Sequence, residues 1–591
     1  MRRLFIIVGL TSFGAMGMLA QESSDTLIER NVDVVKEYNP VIKDAGKINT
    51  MPEIKPIETK KAATSYSVWT TPYDVQASEI QPLDYATAQP IASKNHKQHF
   101  ARLGGGNYGT ILGELYTPIV QKQNWNIDLD LRNRTSWGSV KISEDNYTIP
   151  LEESCDGDPL KSKAFDSDTK GKLDFATTIR RNKELSAFVE GEYDAFRYYG
   201  YDDDMLEHFN HFSNYSDNED FKQHHLTLDA NARFRTKEFA GKWFYDLQST
   251  YQLYANRDDL KEHTIFTQLG GQFRSDRYTI GLDVDMHNIF LNIPEESDYA
   301  FDNRDNMNNY TMLKLKPHVI FSGEIGKMNI GIKAAFGIGQ GKKGAVCPDI
   351  SGTIKLKKDV AYLYACVTGD YEVKNYHAMM RENKYLAPDV RVEDTYTPID
   401  VYAGVRVKIA KRVDMDVYGG YKIINNPYFF VNKYRDRVVN GDTISVMTRQ
   451  FDVVYEKNAG VFNAGMSLAY HYKDRLDMGL NVVVNKWALE KNDYAWQRPD
   501  WMLDYHMNYN VTKNFRLNLG YEFEGGRYAK VGKEAVKMRN AHNISFGADY
   551  KLLNWLDIFA RLDNMINQPY QSWYGYDCHG FNFLAGLSFF F

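Results

Sequence analysis

The chain has 591 residues, of which 43% are hydrophobic and 25% are charged, a balance that excludes disorder over most of its length. The formal net charge is −6 and no long basic block occurs, so nucleic acid is not expected as a partner. Aromatic residues reach 14% and include 41 tyrosines, a residue type that suits half-buried strands and membrane interfaces.

The first 20 residues have the pattern of a secretory signal peptide. Arg2 and Arg3 precede an apolar stretch that begins at Leu4, and small or apolar residues lead to Ala20 before the polar Gln21. We expect cleavage after Ala20, with a membrane anchor as the alternative. No later apolar run is long enough to form a membrane-spanning helix.

Residues 21–95 differ in composition from the rest of the chain. They are rich in Lys, Glu, Pro, Thr and Ser and keep neither the period of a strand nor that of a helix. Prolines at positions 40, 52, 56 and 72 interrupt any long element. We expect an exported and mostly irregular segment.

From residue 96 to 591 the chain alternates apolar and polar residues. In NWNIDLDLRN, Trp125, Ile127 and Leu129 share one face, and Asp128 and Asp130 lie on the other. Such alternation indicates strands with one apolar side, because successive side chains point to opposite faces. Stretches of 10 to 18 residues exceed the strands usual in a soluble sandwich.

Connections of two kinds separate these stretches. Ten short polar turns recur, near residues 121, 180, 238, 275, 325, 357, 410, 473, 512 and 552. Long polar loops lie between them, which is typical of a transmembrane antiparallel β-barrel with short periplasmic turns and long extracellular loops. With one strand near His99 to Gly106 and one at the carboxyl end, the count predicts an all-β barrel of about 22 strands.

The chain ends on FNFLAGLSFFF, which we interpret as the strand that closes this barrel. Odd-numbered residues from Phe581 to Phe591, including Phe589, form an apolar face that we expect to point at lipid. Only a closed barrel satisfies every backbone polar group in lipid, so this strand is predicted to pair with the first one. A soluble β-sandwich is the alternative.

Enzyme motifs are not supported. GQGKKG, from Gly339 to Gly344, fits G-x-G-x-x-G in letters but ends a strand with no helix following it. The sequence contains neither G-x-S-x-G nor H-E-x-x-H, so no enzyme activity and no cofactor are predicted. The four cysteines, Cys155, Cys347, Cys366 and Cys578, form no C-x-x-C pair, and exported proteins permit disulfides without proving any.

One long loop concentrates carboxylates and imidazoles, and it is a candidate extracellular ligand or metal site: Asp202, Asp203, Asp204, Glu207, His208 and His211. The alternative is a solvated acidic loop, since spacing cannot show that the oxygens converge on an ion. Lysines and arginines beside the short turns either bind lipid head groups or partners, or simply end the strands at the interface.

These features together resemble the TonB-dependent receptor superfamily of Bacteroidota. DTLIERNVDVV, which follows the signal peptide, resembles a TonB box, and the candidate contacts are Asp25, Thr26, Leu27 and Ile28. The resemblance implies an outer-membrane receptor in a Gram-negative bacterium that pairs with a TonB-type energy-transducing protein through this stretch.

The resemblance fails at the plug. The family's plug is a folded domain of well over a hundred residues, and residues 21–95 are too few to form one. The 21–95 segment is therefore expected in the periplasm as a reduced plug that threads the wide lumen or as an arm that docks a partner.

Two functions follow. The first is a TonB-dependent type transporter or receptor that takes up a ligand. The alternative is a non-transporting structural barrel subunit of a larger outer-membrane assembly, with its lumen filled by loops or by other outer-membrane or periplasmic proteins. A passive pore narrowed by loops is also left open.

Overall fold

The computed structural model describes residues 99–122, 124–142, 161–179, 182–199, 222–236, 241–293, 309–339, 344–357, 360–409, 412–439 and 442–591. Within these ranges the chain forms one closed antiparallel sheet of 22 strands, so the predicted fold class is confirmed. The expected signal peptide and the 21–95 segment lie outside the described residues. No described helix is long and apolar enough to cross a membrane.

The strands that form the barrel wall are β1 (Phe100–Gly106), β2 (Ile111–Gln121), β3 (Trp125–Ser136), β6 (Asp166–Ile179), β7 (Lys183–Arg197), β8 (Lys222–Thr236), β9 (Trp243–Asn256), β10 (Lys261–Arg274), β11 (Tyr278–Asn292), β12 (Tyr310–Ser322), β13 (Gly326–Ile338), β14 (Gly344–Lys357), β15 (Ala361–Glu372), β16 (Thr395–Ile409), β17 (Val413–Asn425), β20 (Asn458–Tyr472), β21 (Leu476–Leu489), β22 (Trp501–Asn510), β23 (Phe515–Gly525), β26 (Ala541–Leu553), β27 (Leu556–Asp563) and β30 (Asn582–Phe590). Each pairs with the next wall strand along the chain.

The remaining elements lie in the connections at the long-loop end. They are the hairpins β4 (Ser139–Lys141) with β5 (Lys161–Lys163), β18 (Tyr428–Val439) with β19 (Asp442–Tyr455), β24 (Tyr528–Val531) with β25 (Glu534–Lys537) and β28 (Gln571–Trp573) with β29 (Tyr576–Asp577), and the helix α1 (Tyr376–Glu382). The alternation in the sequence predicted none of them. Most are too short to display a period, whereas β18 and β19 have 12 and 14 residues and pair only with each other, outside the wall.

The seam of the barrel joins the two ends of the described chain. β30 pairs with β1 from Phe590 opposite Phe100 to Leu584 opposite Gly106. The His99 and Phe591 backbones exchange hydrogen bonds of 3.0 and 3.1 Å, and their rings stack. The strands beside this seam are short: β1 has 7 residues and β27 has 8, against 15 in β7. β1 coincides with the strand predicted near His99 to Gly106, and the wall beside the seam is shorter than the alternating stretches of 10 to 18 residues elsewhere.

The wall is apolar outside and polar inside. On β8, Leu226 and Leu228 are exposed on the outer surface, whereas Thr227 and Asn231 are buried and face the lumen. Large aromatic side chains are exposed next to the short turns, at Trp243, Tyr278, Tyr509, Tyr550 and Trp555. An apolar outer band flanked by aromatic residues is the surface that a β-barrel presents to a bilayer.

Ion pairs line the inner wall. Arg406 contacts Asp416 at 2.9 Å on β16 and β17, and Arg561 contacts Asp549 at 2.8 Å on β27 and β26. Arg233 on β8 pairs in the same way with Asp246 on β9. Arg406 lies directly opposite Asp416, and the other two pairs are diagonal neighbours. Opposite charges so placed on adjacent strands stabilise the sheet and keep the lumen polar.

Candidate functional site

The connection between β15 and β16 folds into the barrel instead of away from it. It contains α1, and three contacts attach this helix to lumen-facing side chains of the wall. His377 Nδ1 lies 2.8 Å from Gln252 Oε1 on β9, and His377 Nε2 lies 3.2 Å from Thr227 Oγ1 on β8. The Glu262 carboxylate on β10 accepts the Tyr376 and His377 backbone N–H groups at 2.8 and 3.2 Å. The helix therefore lies against the inner wall.

Local chemistry defines both ends of α1. Asn375 is the N-cap, and its side-chain oxygen accepts the Ala378 N–H at 3.0 Å. Glu262 satisfies two more of the free N–H groups at the helix start, where a negative charge is also favoured by the helix dipole. The Asn383 N–H closes the last turn on the Met379 carbonyl at 3.0 Å. A seven-residue helix is marginal alone and depends on this docking.

Other long-loop segments pack over α1 and bury an aromatic core. The Tyr385 and Tyr576 rings stack at 3.6 Å, and Phe451 lies within 6.1 Å of Tyr576. Backbone hydrogen bonds of 2.9 Å join Phe451 to Tyr385 and to Ala387. The same core includes Tyr254 and Phe196 from the wall. We call this set of loops, made of 373–394, β18–β19 and β28–β29, the lid, because it occupies the long-loop end of the lumen.

Buried charges inside the lid are paired. Arg498, which precedes β22, contacts Glu382 at 3.2 Å, and the two side chains are 9% and 4% exposed. Arg498 also donates to the Tyr428 carbonyl at 3.3 Å, and the Tyr428 hydroxyl donates to Glu382. Lys433 and Asp389 form a second ion pair between β18 and the loop after α1. These pairs join segments that are distant in the sequence.

Beneath the lid lies a cavity of about 580 Å³. Its wall side is formed by Lys170 on β6 and by Glu192 and Asp194 on β7. Its lid side carries charged groups from the end of α1 and the residues after it, and the aromatic side chain of Trp573. Tyr199, which follows β7, also lines the cavity. A concave space of this size, with aromatic walls and a few convergent polar groups, is the usual form of a small-molecule site.

Two imidazoles of this cavity are held neutral. Burial lowers the pKa of His377 from 6.5 to about 3, and the positive charge of Arg381 acts in the same direction. Burial also lowers the pKa of His579. At neutral pH both rings are therefore uncharged hydrogen-bonding groups.

The structure places the site residues predicted from the sequence as follows. Asp25, Thr26, Leu27 and Ile28 lie outside the described residues, as do Asp202, Asp203, Asp204, Glu207, His208 and His211. Phe589 lies in β30 opposite Ala101 of β1, and Phe591 follows that strand at the seam. The described part of the chain holds no group of three or more His, Cys, Asp or Glu side chains placed to bind a metal ion. Cys347, Cys366 and Cys578 are free thiols, and Cys155 lies outside the described residues.

Sequence reasoning missed α1, the carboxylate of Glu262 and the cavity. The one available signal was the contrast between YHAMMRE and the acidic loops, since this stretch is neither strongly polar nor alternating. Asn375 before it fits a helix N-cap.

No protein-family model matches the chain, and no curated protein matches it in sequence. Solved structures do match it. The siderophore receptor PirA from Acinetobacter baumannii superposes with a TM-score of 0.58 at 9% identity, over 83% of this chain and 80% of that one. The copper transporter OprC gives 0.58 at 11% identity, over 84% and 82%.

The ferric-catecholate import receptor Fiu from E. coli K12 gives a TM-score of 0.56 at 10% identity, over 84% of this chain and 82% of that one. This chain shares the fold of these proteins. At such identities the likeness shows the fold alone, and it assigns no role to the residues of the lid or of the cavity.

Proposed function

We propose that this protein is an outer-membrane receptor that takes up a ligand across the outer membrane of a Gram-negative bacterium, of the TonB-dependent type found in Bacteroidota. The observation that carries the proposal is the cavity of about 580 Å³ inside a polar lumen, covered by loops that fold inward from the long-loop end. The structural neighbours are named as receptors and a transporter, and we assign no catalytic activity.

In this proposal the apolar outer band contacts outer-membrane lipid, and the short turns face the periplasm. The lid seals the barrel between transport events and forms one side of the ligand site. The stretch from Asp25 to Ile28 pairs as an added β-strand with a TonB-type protein, which supplies the energy for release.

The pairing is tested with the full-length protein and the purified carboxyl-terminal domain of the host's TonB-type protein. Leu27→Pro removes a backbone N–H and prevents strand pairing. We expect it to abolish co-purification, while the control Ala62→Pro, in the same segment, keeps it. Equal capture of both variants would overturn the TonB-dependent part of the proposal.

The second candidate is a non-transporting structural barrel. The dense packing of the lid favours it, because a core of stacked tyrosines and buried ion pairs is costly to open. A permanent seal needs no energy-transducing partner and no ligand.

Conductance in planar bilayers tests which part of the chain closes the barrel. Three proteins are compared: the full-length chain, a deletion of residues 21–94, and a variant with 375–394 replaced by a short Gly-Ser linker. If the lid is the seal, the first two stay closed and the third conducts. An open pore in the 21–94 deletion would instead identify the N-terminal segment as the plug.

The two functions differ in whether the lid moves in the intact protein. A cysteine pair that ties α1 to the wall, at His377 and Thr227, would block uptake by a receptor and leave a structural subunit functional. Uptake that is lost when the tie forms favours the receptor, and growth that does not depend on the tie, in cells that show no uptake, favours the structural role.

A further inference from the structure

Cationic side chains line the cavity beneath the lid, but they are already paired with carboxylates and are not available to a ligand. Lys170 contacts Glu192 at 2.7 Å, and Lys384 contacts Asp166 at 2.7 Å. Arg381 lies 3.8 Å from the same Glu192. Each cation is thus already placed against a carboxylate, and an anionic ligand would have to displace one of these partners.

The histidines of the cavity add no positive charge at neutral pH. His377 and His579 are neutral because burial lowers the pKa of both. His225 directs its Nδ1 at the Met380 sulfur at 2.6 Å, inside the same cluster. The cavity therefore has no free cation among the described residues that line it.

One carboxylate of the cavity stands apart. Asp194 lines it, and its side chain makes no hydrogen bond or ion pair within the described part of the chain. The residue directly opposite on β6 is Asp168, whose Oδ1 atom is buried without a hydrogen-bond partner. Two like charges so placed repel each other, and the nearby cations have other partners or act from a distance. Arg134 lies opposite Asp168 on β3, and Lys384, whose charge acts on Asp194, makes its direct contact with Asp166.

Aromatic side chains complete the cavity. Tyr199, Phe165 and Trp573 line it, and Tyr199 is fixed by a hydrogen bond of 3.0 Å from its hydroxyl to the Asp577 carbonyl. Aromatic faces attract an organic cation through the ring quadrupole, and they also pack against its apolar part.

We propose that the cavity binds an organic cation, with an ammonium or guanidinium group on Asp194 and an apolar part against Tyr199 and Trp573. The inference rests on the proposed function for its biological meaning and names the ligand class of that site. The volume of about 580 Å³ fits a molecule of drug-like size. A bare metal ion is disfavoured, since the described residues provide no cluster of three ligands.

Three compounds with one ring system separate charge from ring packing. Tryptamine carries an ammonium group, indole-3-acetate a carboxylate and tryptophol a hydroxyl. Binding to detergent-solubilised full-length protein is measured by isothermal titration calorimetry. We expect tryptamine to bind at least tenfold more tightly than tryptophol, and indole-3-acetate to bind least. Partition into the detergent affects the neutral tryptophol as well, so the tryptophol signal is used to correct for it.

Asp194→Asn keeps the shape of the side chain and removes its charge. We expect it to weaken tryptamine binding by about tenfold to a hundredfold, the usual loss for one charged hydrogen bond, and to leave tryptophol unchanged. Asp130→Asn is the matched control, because Asp130 lies on β3 outside the cavity. It should bind tryptamine like the unaltered protein.

Equal binding of the three compounds, no binding of any of them, or an Asp194→Asn variant that keeps tryptamine affinity would each overturn the proposal. Uptake into cells is a separate readout. Binding through Asp194 without uptake would support the proposed site and contradict the transport function. Uptake with no preference for cations would contradict the proposed site and support the transport function.

Discussion

At the scale of single residues, the lid is attached to the wall by a few buried polar groups. Glu262 accepts two backbone N–H groups of α1 and is 2% exposed. His377 contacts two wall strands through its two ring nitrogens. Buried polar groups without partners are strongly unfavourable, so these contacts make the docked position of α1 specific.

His377 makes this docking dependent on pH. Its pKa is about 3 in the docked lid, against 6.5 for an exposed histidine. A histidine whose pKa is lowered by burial stabilises the docked state above about pH 6.5, and this stabilisation decreases as the pH falls toward 3. At pH 4.5 the loss is about 2–3 kcal/mol.

We therefore expect amide hydrogen exchange in α1 to accelerate between pH 7 and pH 4.5, after correction for the intrinsic rate. His377→Gln keeps a hydrogen-bonding side chain without a titrating ring and should remove most of this dependence. An unchanged pH profile in that variant would show that the histidine does not control the lid.

The buried pair of Arg498 and Glu382 gives a second residue-scale prediction. Arg498→Met leaves Glu382 charged and buried, which typically costs about 3–5 kcal/mol. We expect exchange of the Met379 and Asn383 amides to increase by about two orders of magnitude or more. Combining it with Glu382→Met removes both charges and should recover most of the protection. Additive losses in the double variant would contradict a direct interaction.

At the scale of elements, the wall and the loops obey different rules. The wall strands were predictable because one face of each strand is apolar and the other faces a polar lumen. Apolar and polar residues therefore alternate in stretches such as NWNIDLDLRN. The lid depends on contacts between distant segments, and α1 owes its existence to Glu262, Gln252 and Thr227 on strands far away in the sequence. No local pattern contains that information.

The seam is the element whose integrity is easiest to test. A Cβ atom on Gly586 of β30 would lie 2.0 Å from the Leu103 carbonyl oxygen of β1, so only glycine fits this close approach. We expect Gly586→Val to separate the two strands and to lower the temperature at which the barrel loses heat-modifiable migration on gels. Gly352→Val on β14 is the control, because its added atoms would meet nothing within 4 Å. Equal midpoints for both variants would contradict the expectation.

At the scale of the whole molecule, the 22-stranded barrel closes using described residues alone. β1 and β30 pair through residues 99–106 and 584–591. Deleting 21–94 is therefore expected to leave the barrel folded, as judged by heat-modifiable migration and by the β-sheet signal in circular dichroism. Loss of both in the deletion would mean that the N-terminal segment is needed for folding or for the stability of the wall.

The sequence by itself determined the barrel, since its fold depends on a two-residue period, short polar turns and an aromatic closing strand, all of which are local. It also located the ten turns and the closing strand within a few residues of their positions in the structure. Only the tertiary structure decided what occupies the long-loop end of the lumen. The lid and its cavity are built from contacts such as Glu262 with α1 and Arg498 with Glu382, between residues more than a hundred positions apart. Such contacts carry no periodic pattern, because their energy comes from burial that exists only after the wall has closed.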